Sequence, residues 1–83
     1  MIETKVMTRK RMMEALTAKG VDVAGTTREF GIGGDGIWIS GESTPDLFDY
    51  WSFGVDPKLE KFVDDNGWYF EWYDAGTMMV WEA

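Results

Sequence analysis

The chain is 83 residues long, has no cysteine and no histidine, and carries 15 Asp and Glu against 8 Lys and Arg, a net charge of −7. Those absences remove the Ser-His-Asp triad, the cysteine nucleophile, the ordinary zinc site and any disulfide framework. A pI near 4.3 argues against direct binding to nucleic acid or anionic lipid, because phosphate contacts need clustered Lys and Arg.

The length implies one domain, residues 1–83. A chain this short needs a core dense in large side chains, and at 45% hydrophobic and 16% aromatic it has the material. That content is too high for a disordered acidic tail. No stretch approaches the ~20 apolar residues of a membrane span. The start, Met1-Ile2-Glu3-Thr4-Lys5, lacks the apolar core of a secretory signal. The expected location is the cytoplasm.

Thr8 to Lys19 reads as a helix. Met12, Met13 and Leu16 form its apolar stripe, Thr8 caps it, Lys19 suits its last turn, and Gly20 stops it. Val21 to Val23 reads as a strand start. A first hairpin then pairs Glu29–Ile32 with Ile37–Ser40 through a Gly34-Asp35 turn. That register puts Ile32 opposite Ile37, Phe30 opposite Ile39, and Gly31 opposite Trp38, whose ring would lie across bare backbone. Residues 41–55 divide evenly between two readings. Thr44-Pro45-Asp46 is a good helix start, whereas Phe48, Tyr50, Trp51 and Phe53 favour strand.

A second helix follows, with Asp56 as cap, Pro57 in its first position, Leu59, Phe62 and Val63 as its stripe, and Asn66-Gly67 as its end. A second hairpin runs Trp68–Tyr73, turn Asp74-Ala75-Gly76-Thr77, then Met78–Glu82. With Ala75-Gly76 as its loop, Trp68, Phe70, Trp72, Met79 and Trp81 share the face toward the helices. Tyr69, Glu71, Tyr73, Met78, Val80 and Glu82 share the other. The predicted fold is α+β: an antiparallel sheet of about four strands with two helices on one face, in the order α-β-β-α-β-β.

Charge is distributed unevenly. Residues 1–28 carry a net of +3 and residues 29–83 a net of −10. From Glu42 to Asp74 the acids interleave with Phe48, Tyr50, Trp51, Phe53, Tyr69 and Tyr73, offset only by Lys58 and Lys61. Acids for solubility and aromatics for the core account for this as a solvated surface. The functional reading is an interface, because aromatics with charge make binding hot spots and an acidic face is steered to basic grooves. The candidate contact residues are Asp46, Asp49, Asp56, Glu60, Asp64, Asp65, Tyr69, Glu71, Tyr73 and Asp74. Asp64-Asp65-Asn66-Gly67 lacks the ligand spacing of a calcium loop, and Gly31–Gly36 lacks the Lys-Ser/Thr of a phosphate loop. No metal and no cofactor is expected. Asp46 and Asp49, or Asp64 and Asp65, sit in no catalytic frame, so the chain reads as a non-enzyme. Arg9-Lys10-Arg11 is either a contact for nucleic acid or an acidic partner, or an intramolecular counter-charge.

In character (very short, acidic, aromatic-rich, without His or Cys) the chain resembles small phage and mobile-element proteins of the anti-CRISPR type. The resemblance implies a non-enzymatic inhibitor that binds a CRISPR–Cas effector subunit through a basic groove and blocks nucleic-acid binding or nuclease recruitment. It implies no transferable functional residues, and either a monomer or a homodimer. The alternative is a small self-associating module that pairs through a Tyr69/Met78/Val80 face.

Overall fold

The computed structural model describes residues 6–44, 46–49 and 52–83. The sequence readings at Met1–Lys5, Pro45, Tyr50 and Trp51 lie outside the described residues. Helix α1 (Arg9–Ala18) is capped by Thr8, whose hydroxyl accepts a hydrogen bond from the Arg11 N–H at 3.3 Å. Met12 and Leu16 are fully buried, and Met13 packs at the margin of the core.

The chain departs from expectation after Asp22. Strand β1 is Val23–Thr26, and Thr27–Phe30 is a short helix, α2, where a strand was predicted. The reason is local. Thr26 and Glu29 form a capping box: the Glu29 N–H donates to Thr26 Oγ1 at 3.1 Å and the Thr26 N–H donates to Glu29 Oε1 at 3.0 Å. The partner of β2 (Ile37–Ser40) is therefore β1, with Gly25 opposite Trp38. A glycine does face the Trp38 ring, but it is Gly25 rather than Gly31.

Residues 41–55 combine elements of both readings. The Leu47 and Phe48 N–H groups donate to the Thr44 carbonyl at 2.9 and 3.0 Å, which makes a single turn. Strands β3 (Phe48–Asp49) and β4 (Gly54–Val55) then pair as a small separate ladder. Helix α3 (Pro57–Asp65) follows as predicted, with Asp56 Oδ2 accepting from the Leu59 N–H at 3.1 Å.

Strands β5 (Trp68–Asp74) and β6 (Thr77–Glu82) form the second hairpin, with a bulge. Asp74 pairs with Thr77, but Trp72 pairs with Met78, so Tyr73 is the extra residue. Because side chains alternate across a strand, this one-residue slip exchanges the faces of β6 relative to expectation. Met78 and Val80 are fully buried in the core, while Trp81 turns to the opposite face. The Tyr69/Met78/Val80 face proposed for self-pairing therefore does not form.

The described residues make an α+β domain. Its main sheet is antiparallel, in the order β1-β2-β6-β5. Helices α1 and α3 lie on one face, where Met12, Leu16, Leu59 and Val63 close on Ile37, Ile39, Trp68, Met78 and Val80. A smaller apolar layer occupies the other face. Phe30 contacts Trp38 on β2 and Tyr73 on β5, each with ring centroids 4.9 Å apart. It therefore bridges over β6, and Met79 beneath is only 1% exposed. Trp81 packs against Gly34 and Gly36, where a Cβ on Gly36 would sit 2.6 Å from the ring. Among the described residues no helix is long and apolar enough to cross a membrane.

Candidate functional site

Strand direction sorts the charges. Strand β1 begins, and β2 ends, at the same end of the sheet where β5 ends and β6 begins. Asp22 precedes β1, Glu42 follows β2 and Asp74 closes β5, so all three converge there. Glu42 lies against the hairpin turn: a Cβ on Gly76 would sit 2.6 Å from its Oε1. The chain then runs through β3 and β4 to the start of α3. Asp46, Asp49 and Asp56 line a shallow groove of about 270 Å³ with Leu47, Ser52 and Val55. The carboxylates Asp22, Glu42, Asp46, Asp49, Asp56 and Asp74 thus decorate one end of the domain.

Three of them also stabilise local backbone. Asp56 caps α3. Asp49 Oδ1 accepts from the Ser52 N–H at 3.4 Å and its Oδ2 from the Ser52 hydroxyl at 2.8 Å. Asp74 Oδ1 accepts from the Gly76 N–H at 2.9 Å and shapes the turn. Asp22, Glu42 and Asp46 have no such duty among the described residues. Lys19 and Lys58 lie nearby, lining a neighbouring cavity with Asp56, so the end is predominantly but not purely acidic.

The remaining predicted residues lie elsewhere. Glu60, Asp64 and Asp65 are exposed on α3, interleaved with Lys58 and Lys61. Asp65 accepts from Lys61 Nζ at 2.8 Å, and this contact raises the Lys61 ammonium above its ordinary pKa. Tyr69, Glu71 and Tyr73 lie on the opposite face of the sheet from α3. There Glu71 accepts from Trp81 Nε1 at 3.1 Å, and Tyr69 and Tyr73 are 41% and 52% exposed. The ten predicted residues therefore divide among the sheet end, the outer side of α3 and the outer sheet face, and form no single plane. The sequence reading left Asp22 and Glu42 out of the contact set. Their signal was their place immediately outside β1 and β2.

The opposite end mixes both signs: Arg9 and Lys10 at the start of α1 lie near Glu14, Asp35 and Glu82, and α3 ends there with Asp64 and Asp65. Arg9, Lys10 and Arg11 fill the first turn of α1, and that turn itself holds no acid. Arg9 and Arg28 both reach Asp35, at 3.6 and 3.5 Å, so part of this charge is matched within the molecule. These pairs are exposed and add little stability. Among the described residues no three carboxylates gather closely enough to hold a metal ion. No protein-family model, curated protein or solved structure matches this chain.

Proposed function

We propose that this chain is a non-enzymatic inhibitor that binds a protein partner through its acidic end, entering a basic groove that otherwise holds nucleic acid. The observation carrying this reading is that strand topology brings Asp22, Glu42, Asp46, Asp49, Asp56 and Asp74 to one end of the sheet. Carboxylates held on a stiff scaffold present spaced negative charge without the flexibility of a disordered tail. The acidic end steers encounter with a positive surface. The anti-CRISPR resemblance specifies the partner class as a CRISPR–Cas effector subunit and the working compartment as the host cytoplasm. The absence of His and Cys from the sequence supports binding over catalysis.

The test is binding of the purified protein to CRISPR–Cas effectors across rising salt, with D22K/D46K as the charge-altered variant. Both positions are exposed and neither caps an element. Affinity is expected to fall with salt and to fall again in the variant. Failure to bind any effector at low salt would refute the reading.

A further inference from the structure

The two edges of the main sheet are finished differently. Strand β1 is short and bulged between Val23 and Gly25. The Thr27 N–H bonds the Gly36 carbonyl on the β2 side, so by alternation Thr26 points its main chain outward, and its N–H is already taken by Glu29. A bulge and an occupied donor are both devices that blunt an edge.

Strand β5 has neither device over its first five residues. The Ala83 N–H donates to the Gly67 carbonyl at 2.9 Å, which fixes the alternation. Gly67, Tyr69 and Glu71 face β6, and Trp68, Phe70 and Trp72 turn their N–H and C=O groups to the open side. Among the described residues nothing bonds those outward groups. The aromatic side chains at this edge are also left incompletely covered. Phe70 and Trp72 are only partly buried, although Ile37, Ile39, Met78 and Val80 in the inner strands are fully buried. Phe53, edge-to-face with Trp72 at 5.6 Å between ring centroids, is 56% exposed and sits at φ 55°, a strained value for a bulky residue.

We propose that the β5 edge pairs antiparallel with the same edge of a second copy, joining two sheets across a twofold axis. One register satisfies every outward group. Phe70 lies opposite Phe70 of the partner subunit, and Trp68 lies opposite Trp72 of the partner subunit, making about six main-chain hydrogen bonds. The same register sets Tyr69 opposite Glu71 of the partner subunit. Each Glu71 then lies opposite a neutral tyrosine and not directly opposite another carboxylate, so the register that satisfies the main chain also avoids facing like charges. The Tyr73 bulge ends the pairing before Asp74 is reached. Each copy carries −7, so their repulsion makes the dimer strengthen with salt. That is the opposite sign to docking on a basic groove.

Sedimentation velocity on the full chain at 50 and 500 mM NaCl, over a range of protein concentration, tests this directly. A dimer favoured by concentration and by salt is expected. Exchange protection at the Trp68, Phe70 and Trp72 amides should rise as it forms. Tyr69 is an exposed position, so its variants report on the interface with little effect on the fold. Y69E, which sets Glu against Glu71 of the partner subunit, should weaken the dimer roughly two- to thirty-fold, and Y69K should strengthen it over a similar range. The double variant Y69E/E71K should recover association. A monomer at all concentrations, protection elsewhere, or equal effects of Y69E and Y69K would overturn the proposal. None of these outcomes bears on whether the acidic end binds a partner.

Discussion

Among the described residues, Thr27 is the buried polar one, 0% exposed at the first position of α2. Its Oγ1 accepts from the buried Gly36 N–H at 3.0 Å, and its own N–H donates to the Gly36 carbonyl at 3.1 Å. This pairing docks α2 and the glycine loop onto the sheet. Thr27→Val keeps the volume but removes the acceptor, leaving a buried N–H without a partner, at a cost of about 2 kcal/mol. Thr27→Ser keeps the acceptor and removes one methyl group, at a cost of about 1 kcal/mol. Valine should therefore be the worse substitution, although it is the more hydrophobic. In urea unfolding followed by tryptophan fluorescence, with a slope of about 1 kcal/mol/M, the midpoints should drop by about 2 M and about 1 M respectively. If the valine variant proves as stable as the serine variant, the hydroxyl is not holding the loop and the reasoning fails.

Gly36→Ala would set a Cβ 2.6 Å from the Trp81 ring and 2.8 Å from the Val80 carbonyl. It should cost about 1–3 kcal/mol, and a melting temperature unchanged from the parent would contradict the contact. Asp56→Ala removes the α3 cap and should cost about 1 kcal/mol by chemical denaturation; no loss would show that Pro57 alone starts the helix. Asp65→Asn should return the Lys61 pKa toward its ordinary value, read by NMR titration of its side chain. Because the folded pKa is raised, any stability from this exposed pair is present below the ordinary lysine value and disappears as pH rises through the raised one.

What the sequence made legible was what depends on neighbours a few residues apart. Asp56-Pro57 and Asn66-Gly67 bound α3 because a cap, a first-position proline and a glycine stop are local devices. The same kind of signal was present at Thr26-Thr27-Arg28-Glu29. The strand prediction there followed the alternation of Phe30 and Ile32, whereas in the structure Phe30 packs on Trp38 and Tyr73 and Ile32 is exposed. The acidic end could not be read in the same way. Asp22, Glu42 and Asp74 are distant in sequence and meet only because three strands reach that end of the sheet. A linear acidic run therefore does not show which acids share a place in the fold: Asp46, Asp49, Asp56 and Asp74 lie at that end, and Asp64 and Asp65 at the far end of α3.

The Tyr73 bulge had the largest consequence, and removing it makes the sharpest test of the sheet. With an unbulged hairpin Tyr73 would face Met78, and Met78 and Val80 would point away from the helices. In the observed register Tyr73 is supernumerary: Asp74–Thr77 and Trp72–Met78 would be consecutive pairs without it. Deleting Tyr73 should then leave the core intact and cost only its contact with Phe30 and part of the cover over Met79, about 0.5–1.5 kcal/mol for the aromatic pair. Phe70 and Val80 form a closely spaced non-hydrogen-bonded pair, so their Hα atoms should give a strong nuclear Overhauser effect in parent and deletion alike. If the deletion abolishes that signal or unfolds the protein, Tyr73 is part of the ladder. The assignment of Met78 and Val80 to the core, and with it the outward main chain of Phe70 on which edge pairing depends, would be wrong.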